Sequence, residues 1–592
     1  MFNREKMSHI KRYLFLFLLS SLFCFKTAGQ TNDYFIHTIT GGETVYSIAT
    51  MYGVSQEEIF RLNPGSEKTI ISGETLKIPQ TKLNGKSKSK FHFHTIQAKE
   101  TLYSLSHKYS VPATAIIDAN PGLSVSSFTI GKIIRIPTDS IKEQSEVQKT
   151  KETIETVDYS IKKKETIYSI SKQFETTPSE LIALNPNLKN GIKNNLVIKV
   201  PVKKKVVVKE EAPDETSINS LLDKPRHNEN LTRMNVALLL PFKAEASNHS
   251  QATLRFTEYY EGLLLAIDSL KSLGYNIDLS VFDLTDVNGT DLTDDALKTT
   301  SLQKANLIIG GVDGSQIERI AAFAEKHKIA YVIPFTSKNN EVLSNQYVYQ
   351  VNTPHTYLYA KASAAACTLF SDANVIILNV ADKEQKADFI KVLKSDMKRR
   401  NIHYKELTYS RETFPNDLEK TLRNDKRNIV IPTTGSSTAL NKIRVPIRTI
   451  SEKNPQYLLT LFGYPEWQTY TSDCLDDFYA LNTYIYSNFY VDNLSSNVAE
   501  FYSKYKHWYS KSLINTFPKY GILGFDTSMY FLCALSKYGT DFCRSLDKFS
   551  YNCIQTGFNF DRVNNWGGFI NTNIFIVHYH NNYKVTRETI AK

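Results

Sequence analysis

The stretch GGETVYSIA at residues 41–49 returns as AKETLYSLS at residues 98–106 and as KKETIYSIS at residues 163–171. In each copy an Asn-Pro pair follows twenty positions after the glutamate of the motif, and an alternating apolar segment ending in proline closes the unit. Chance does not keep such spacing three times. The sequence therefore predicts three copies of one small domain.

The pattern within each copy predicts a strand, two helices and a second strand. Thr44, Thr101 and Thr166 stand where a hydroxyl can cap the free backbone amides of the first helix. Proline disfavours helical geometry in the residue before it, so the Asn-Pro pair is expected to end the second helix. In the first copy Tyr46 and Ile48 are expected to point into the core. The closing strand is expected to pair with the first.

These repeats resemble the LysM domain family over residues 35–80, 92–138 and 157–202. The match rests on the Glu-Thr-x-Tyr-Ser core, the Asn-Pro pair and the apolar residue before the closing proline. The resemblance implies a small α+β (βααβ) fold that binds chitin-like and peptidoglycan glycans through N-acetylglucosamine. Three copies on flexible connectors suit a repeating glycan strand, because linked modules raise one another's effective concentration.

The resemblance also implies a shallow groove between the first strand-to-helix turn and the loop after the second helix. Its residues are Gly42, Glu43, Thr44, Val45, Ile70 and Ile71 in the first copy, Lys99, Glu100, Thr101, Leu102, Phe128 and Thr129 in the second, and Lys164, Glu165, Thr166, Ile167 and Ile192 in the third. The glycine before the glutamate is kept only as Gly42, which favours the first copy as the glycan site. For Tyr46, Tyr103 and Tyr168 we favour core packing over a stacking surface for sugar.

The first 29 residues have the pattern of a secretory signal peptide. Basic residues precede an apolar run at residues 13–25, and cleavage is expected just before Gln30. An uncleaved anchor and a lipid on Cys24 are the weaker alternatives. No later stretch has membrane-spanning length without charges, so we expect a periplasmic or cell-envelope protein with no membrane span after cleavage.

The formal charge of +11 and the cysteines are both compatible with export. Much of the basic charge lies in lysine-rich connectors, so solvated linkers are a better explanation than nucleic-acid binding. Five cysteines would remain after cleavage, which allows at most two internal disulfides of unassigned pairing: Cys367, Cys474, Cys533, Cys543 and Cys553. Cys543 and Cys553 are the closest pair, and no paired spacing indicates zinc.

A charged connector at residues 203–231 leads to a different pattern. From residue 232 to 592, apolar strands such as MNVALLL at residues 234–240 alternate with helical segments. This alternation predicts parallel sheets with covered faces, and the number of strands predicts two α/β lobes. The order and spacing resemble type 1 periplasmic binding proteins of the leucine-binding class, which bind amino acids or other small molecules between lobes that close like a hinge.

The cleft of such a domain would be lined by residues that follow its strands. Gly311, Gly314 and Ser315 open a helix whose free amides favour an anionic group, and Thr336 and Ser337 add hydroxyls. Glu466 falls where the resemblance places an acidic group against a ligand ammonium, so the set would suit a zwitterion. Tight turns and helix capping explain the same residues equally simply, and the cleft could be empty.

No catalytic motif or cofactor site is evident. The chain has no GxSxG elbow, Walker loop or HExxH, and the histidine pairs His92 with His94 and His578 with His580 lack a nearby third ligand. The leading hypothesis is a non-enzymatic protein that binds peptidoglycan and carries a solute-binding or sensing domain. The alternative is a scaffold whose two-lobed domain docks an envelope protein or wall enzyme. A wall hydrolase is the least favoured.

Overall fold

The computed structural model of the protein describes residues 34–80, 90–138, 150–207, 214–223, 231, 233–383 and 386–589. The predicted signal peptide, including Cys24, lies outside these ranges. The chain divides into two compact units. One consists of Met1–Lys99, Ile117–Ile136 and Leu222–Lys592, and the other of Glu100–Ile116 and Pro137–Leu221.

Each repeat folds as a strand, two helices and a strand, as predicted. The elements are β1 (Tyr34–Thr38), α1 (Val45–Tyr52), α2 (Gln56–Leu62) and β2 (Thr75–Pro79) in the first, β3 (Phe91–Thr95), α3 (Leu102–Tyr109), α4 (Ala113–Ala119) and β4 (Ile133–Pro137) in the second, and β5 (Thr150–Ser160), α5 (Ile167–Gln173), α6 (Pro178–Leu184) and β6 (Val197–Val207) in the third. The two strands of each repeat pair with each other.

Reciprocal hydrogen bonds begin the first helix of every repeat. In the first copy Ser47 N donates to Thr44 Oγ1 at 3.0 Å, and Thr44 N donates to Ser47 Oγ at 2.9 Å. Thr101 and Thr166 form the same capping box in the other copies. The predicted threonine caps are therefore confirmed, and each satisfies backbone amides that a helix start otherwise leaves without an acceptor.

The asparagine of each Asn-Pro pair does more than end the second helix. Asn63 Nδ2 donates to the carbonyl of Lys77, and Lys77 N donates back to Asn63 Oδ1, both at 2.8 Å. Asn185 makes the same two bonds with Lys199 in the third copy. The side chain thus ties the end of the second helix to the closing strand, which explains why this residue recurs.

Part of the predicted connector at residues 203–231 has regular secondary structure. Strand β6 continues to Val207, and helix α7 (Glu215–Ser220) follows, with the Asp214 carboxylate accepting from Ser217 N at 2.8 Å. An aspartate at the N-cap stabilises even a short helix. The predicted connector therefore contains a strand end and a short helix.

The C-terminal domain alternates strands and helices. Its strands are β7 (Met234–Leu240), β8 (Ile277–Asp283), β9 (Leu307–Gly310), β10 (Ala330–Ile333), β11 (Val348–Gln350), β12 (Asn374–Asn379), β13 (Tyr404–Thr408), β14 (Asn428–Pro432), β15 (Leu459–Gly463), β16 (Tyr484–Ser487), β17 (Phe560–Arg562), β18 (Phe569–Asn571), β19 (Phe575–Tyr579) and β20 (Val585–Thr589). Its α-helices are α8 (Gln251–Ser272), α9 (Thr293–Leu297), α10 (Thr300–Gln303), α11 (Gly314–His327), α12 (His355–Leu369), α13 (Ala387–Arg399), α14 (Phe414–Thr421), α15 (Ser437–Lys453), α16 (Thr471–Ala480), α17 (Ser496–Tyr509) and α18 (Tyr520–Tyr538).

These strands form two seven-stranded sheets within residues 233–589. The first has the order β17-β18-β11-β10-β9-β7-β8, and the second has the order β13-β12-β14-β15-β16-β19-β20. The central pairs are parallel, whereas β17, β19 and β20 pair antiparallel at the edges. The chain crosses between the sheets after β11, β16 and β18, which confirms the predicted two-lobed α/β architecture. We call the two sheets with their helices lobe 1 and lobe 2.

The strand interiors are buried on both faces, as expected for parallel sheets covered by helices. All four residues of β9 and all four of β10 are buried, as are all five of β14. The five cysteines of the described residues are all free, and Cys543 is not bonded to Cys553.

The first repeat packs against the C-terminal domain. The Tyr52 ring of α1 lies 6.0 Å from the ring of Trp566, and Phe93 of β3 lies 5.6 Å from the same ring. From the β4 strand, the Arg135 guanidinium lies 4.5 Å above Trp566. Burial lowers the pKa of Arg135 to about 10. The first repeat is therefore not a separate module on a flexible connector.

Candidate functional site

The strand-to-helix turn has a residue with positive φ before the glutamate in all three repeats. Its φ angle is 96° at Gly42, 67° at Lys99 and 76° at Lys164. The left-handed region costs a non-glycine residue roughly 1–2 kcal/mol, yet both lysines adopt it. The second and third copies therefore keep a positive φ at this position without glycine.

Gly42 has a second reason to be glycine. A Cβ atom added there would lie 2.4 Å from Tyr357 Cα in helix α12. Burial raises the pKa of Tyr357 to about 12, with a further contribution from the neighbouring Glu43 carboxylate. Close packing against the C-terminal domain therefore accounts for Gly42, and the glycine no longer favours the first copy as the glycan site.

The glutamate of the motif holds this turn together. Glu43 Oε2 accepts from Thr40 N at 2.6 Å and lies 2.9 Å from His37 Nε2. In the third copy Glu165 accepts from Lys162 N at 2.8 Å and from the Tyr159 hydroxyl at 2.7 Å. These bonds lower the pKa of Glu165. Tyr159 thus takes the place of histidine, and these two carboxylates position the turn through internal bonds.

The groove of the first copy borders a cavity of about 310 Å³. Its lining includes all the groove residues predicted for this copy: Gly42, Glu43, Thr44, Val45, Ile70 and Ile71. Helices α12 and α13 of the C-terminal domain supply the opposite wall. The predicted residues are therefore brought together, but they form only one side of the space.

In the second copy, helix α7 lies at the start of helix α3. Tyr103 N, in the first turn of α3, donates to Asn219 Oδ1 at 3.3 Å. The Thr101 hydroxyl donates to Glu215 Oε1 at 3.2 Å. Glu100 pairs with Lys108 at 2.9 Å, and Leu102 is fully buried. An amide that could bond a glycan acetamido group is therefore already bonded to a side chain of α7.

The corresponding turn of the third copy is open. Lys164 and Thr166 are exposed, and Glu165, Ile167 and Ile192 are partly exposed. Helix α5 begins at Ile167, so its first-turn amides have no acceptor within the helix beyond the bond from Ser169 N to Thr166 Oγ1. Free amides beside apolar side chains are what an acetamido group needs.

The tyrosines of the motif are not core residues. Tyr46 is 53% exposed and Tyr168 is 70% exposed, while Tyr103 is partly exposed. The prediction of core packing is therefore wrong for Tyr46 and Tyr168. The core positions of α1 are filled by Val45, Ile48 and Ala49 instead. The Tyr46 ring borders the cavity of the first copy, and Tyr168 follows the predicted groove residue Ile167 in the first turn of α5.

In lobe 1 the glycine-rich turn leads into helix α11. The Asp313 carboxylate caps this helix and accepts from Gln316 N at 2.9 Å, so a negative charge already occupies the helix N-terminus. Gly311 is buried, and a Cβ atom added to it would lie only 2.4 Å from the Tyr331 hydroxyl. Gly314 and Ser315 are exposed. These contacts disfavour the predicted carboxylate site.

The remaining predicted cleft residues also have internal partners or partial burial. Glu466 Oε1 lies 2.6 Å from Lys386 Nζ in a partly buried ion pair. Thr336 Oγ1 accepts from Lys338 N at 3.0 Å, and Ser337 is partly buried. Sequence reasoning missed Lys386, whose ammonium stands where a ligand ammonium was expected.

Neither a metal site nor a membrane-spanning helix is found among the described residues. No group of three or more His, Cys, Asp or Glu side chains in these ranges is placed to hold a metal ion. His578 and His580 instead bond Asn482 and Thr586. Within the same part of the chain, none of the helices combines the length and the apolar character that a bilayer crossing requires.

Two proteins of known name are similar to part of the chain. YdhD of Bacillus subtilis (strain 168), named as a sporulation-specific glycosylase, is 32% identical over 106 residues, which are 18% of this chain and 23% of that protein. The N-acetylmuramoyl-L-alanine amidase sle1 of Staphylococcus epidermidis is 24% identical over 149 residues, which are 25% of this chain and 45% of that protein. The chain thus spans less than half the length of these relatives.

A solved structure resembles the chain over a longer region. The ABC transporter substrate-binding protein of Desulfitobacterium hafniense in complex with Leu is 12% identical, covers 60% of this chain and 99% of its own, and has a TM-score of 0.36. The two-lobed architecture stands on the strand order of the two sheets and does not depend on this similarity.

The model of the LysM domain family matches residues 37–79, 94–137 and 159–201. These segments coincide with the three strand-helix-helix-strand units and contain their capped first helices and closing strands. The chain therefore contains three LysM domains ahead of a two-lobed α/β domain.

Proposed function

We propose that this chain is a non-enzymatic cell-envelope protein that binds N-acetylglucosamine glycan, peptidoglycan above all, through its third LysM domain. The observation that carries the proposal is the difference between the three turns. The turn of the first copy borders a cavity whose opposite wall is formed by α12 and α13. In the second copy, the Tyr103 amide donates a hydrogen bond to the Asn219 side chain. The third presents Thr166 and Tyr168 to solvent.

The third turn has the chemistry for an acetamido group. The first-turn amides of α5 can donate to its carbonyl, and the partly exposed side chains of Ile167 and Ile192 can cover its methyl. The Tyr168 ring can stack on a sugar face. The lysines at this turn, Lys162 to Lys164, add attraction to anionic wall polymers.

Sedimentation of the full chain with purified, insoluble peptidoglycan tests the proposal. We expect the chain to pellet with the polymer and to be released by soluble chitohexaose, because both present N-acetylglucosamine. Persistence of binding in excess chitohexaose, with loss of binding at high salt, would indicate charge attraction alone and would contradict the proposal.

For the two-lobed domain we favour the docking alternative over amino-acid capture. A zwitterion would have to displace Lys386 from Glu466 and meet the Asp313 carboxylate at the start of α11. The first step breaks an ion pair that stabilises the free protein, and the second brings two negative charges together. Both reduce the net free energy of ligand binding. We propose that this domain docks an envelope protein or wall enzyme.

A thermal-shift screen of the full chain against the common amino acids distinguishes the two roles. The docking role predicts no stabilisation by any of them. It also predicts that the Glu466→Gln variant behaves as the wild type in the screen. A stabilisation that saturates with one amino acid and disappears in Glu466→Gln would restore the amino-acid hypothesis.

A further inference from the structure

The cavity beside the first repeat is built from two parts of the chain that are far apart in sequence. One side is the LysM groove with Thr44, Val45 and Tyr46, and the other includes Thr356 of α12 and Val392 of α13. At about 310 Å³ it lies at the small end of the roughly 300–1,000 Å³ typical of small-molecule sites. A space of this size suits about one or two sugar rings.

Ser66 gives an independent sign that the cavity is made for a ligand. It lines the cavity, it is 9% exposed, and its hydroxyl is buried without a hydrogen-bond partner. A buried hydroxyl left unpaired costs on the order of 1–3 kcal/mol. A ligand hydroxyl or acetamido group entering the cavity would satisfy it.

The other repeats show that this serine is not required by the fold. The position three residues after the asparagine of Asn-Pro is Ser66 in the first copy, Leu123 in the second and Leu188 in the third. Leu123 is 8% exposed and Leu188 is 2% exposed, so both fill the interior with apolar side chains. The first copy thus replaces a packed leucine by a smaller, unpaired polar group at the cavity wall.

The rest of the lining has mixed character. Phe60 and Ile70 provide apolar surface, and the amides of Val45 and Tyr46 stand in the first turn of α1. The Tyr46 hydroxyl accepts from Asn340 Nδ2 at 2.8 Å, which holds the ring at the border of the cavity. Amides, hydroxyls and apolar patches together recognise a neutral N-acetylated sugar better than a zwitterion or a metal ion.

We propose that the first LysM domain and lobe 2 together bind a short N-acetylated sugar, of about one or two rings. This rests on the proposed function, since it extends N-acetylglucosamine recognition to a second site. Helices α12 and α13 wall the groove on the side opposite the repeat, so a free fragment or the end of a strand fits, whereas the middle of a strand does not. At one edge of the cavity, Lys391 of α13 donates a hydrogen bond to Thr69 of the repeat and so joins the two sides.

Calorimetric titration of the full chain with N,N′-diacetylchitobiose tests this site. Ser66→Leu introduces the residue of the other two copies and fills the cavity from the repeat. Val392→Trp fills it from α13. Each variant should weaken disaccharide binding at least ten-fold. Val445→Trp is the matched control, because Val445 is exposed on α15 and does not line the cavity.

The thermal midpoint separates a ligand role from a structural one. Ser66→Leu should keep or raise the midpoint, because it removes an unpaired buried hydroxyl, while it weakens disaccharide binding at the first repeat. A competition experiment distinguishes soluble fragments from strand ends as the ligand. It compares intact peptidoglycan with peptidoglycan that a muramidase has digested to free fragments. Only the fragments should compete with diacetylchitobiose if soluble sugar is the ligand, and both should compete if strand ends are bound.

Two outcomes would overturn the proposal: no measurable binding of diacetylchitobiose to the wild-type chain, or equal binding by Val392→Trp and the wild type. Failure of the proposed function is a different result. In that case the chain would not sediment with intact peptidoglycan, although disaccharide binding would still be lost in Ser66→Leu and Val392→Trp.

Discussion

The backbone of Gly42 lies so close to Tyr357 that a Cβ atom added to the glycine would be 2.4 Å from the tyrosine Cα. This contact joins the first LysM domain to helix α12 of the two-lobed domain. It makes the repeat part of the same compact unit as the C-terminal domain. The consequences can be measured one residue at a time.

Gly42→Ala should destabilise the chain by about 2–4 kcal/mol, because it combines backbone strain at φ 96° with a collision. Gly53→Ala is the control. Gly53 also has positive φ, at 68°, but nothing lies within 4 Å of an added Cβ, so we expect a loss of only about 1 kcal/mol. Chemical denaturation measures both. Equal losses would show that Tyr357 does not restrict position 42.

Trp566→Ala should loosen the same attachment. Trp566 is 3% exposed and contacts Tyr52, Phe93 and Arg135, so its truncation should cost about 3–5 kcal/mol. Limited proteolysis between the repeats and the C-terminal domain should become faster. Trp566→Phe retains an aromatic ring and should restore most of the protection. An unchanged cleavage rate in the alanine variant would contradict the packing described.

Asn219→Ala should increase binding to peptidoglycan. The substitution removes the acceptor that bonds Tyr103 N and thereby frees an amide of the second copy. A second competent groove raises avidity, so we expect about five-fold tighter sedimentation. Ser217→Ala, on the same helix, is the control. Unchanged binding in Asn219→Ala would show that α7 does not limit the second copy.

Acid should destabilise lobe 2 through His578. Burial, with smaller contributions from the neighbouring His580 and Arg427, lowers its pKa to about 4. The unfolded chain takes up this proton near its ordinary pKa of about 6.5, so stability is lost as pH falls from about 6.5 to 4. Allowing for solvent screening, we expect a loss on the order of 1–2 kcal/mol. His578→Phe keeps the stack on Tyr484 and should flatten this pH dependence; an unchanged slope would exclude His578 as its source.

Local hydrogen bonding and strand patterns were predictable from the sequence. The capping threonines and the strand-helix-helix-strand order depend on residues within a few positions of one another, so Thr44 and Ser47 are recognisable directly. The two lobes followed from alternating apolar strands. Long-range partners were not predictable: Tyr46 bonds Asn340, and Glu466 pairs with Lys386. Neither relationship leaves a periodic pattern in sequence.

Some of the site could have been found by comparing the three copies with one another. Ser66 stands where the other repeats have leucine, and that difference in sequence coincides with the cavity wall. The retained glycine at position 42 was misleading, because its cause lies in Tyr357. A residue that differs between internal repeats can therefore indicate either a ligand site or close packing against another part of the chain.

The central claim is glycan binding through the third LysM domain, and Tyr168→Ala tests it most directly. Tyr168 is 70% exposed in the first turn of α5, and Tyr583, which is 73% exposed in lobe 2, is the matched control. Loss of a stacking ring should weaken sedimentation of the full chain with peptidoglycan by about five- to ten-fold, without lowering the thermal midpoint. Tyr583→Ala should bind as the wild type. Equal sedimentation of Tyr168→Ala and the wild type would contradict the claim.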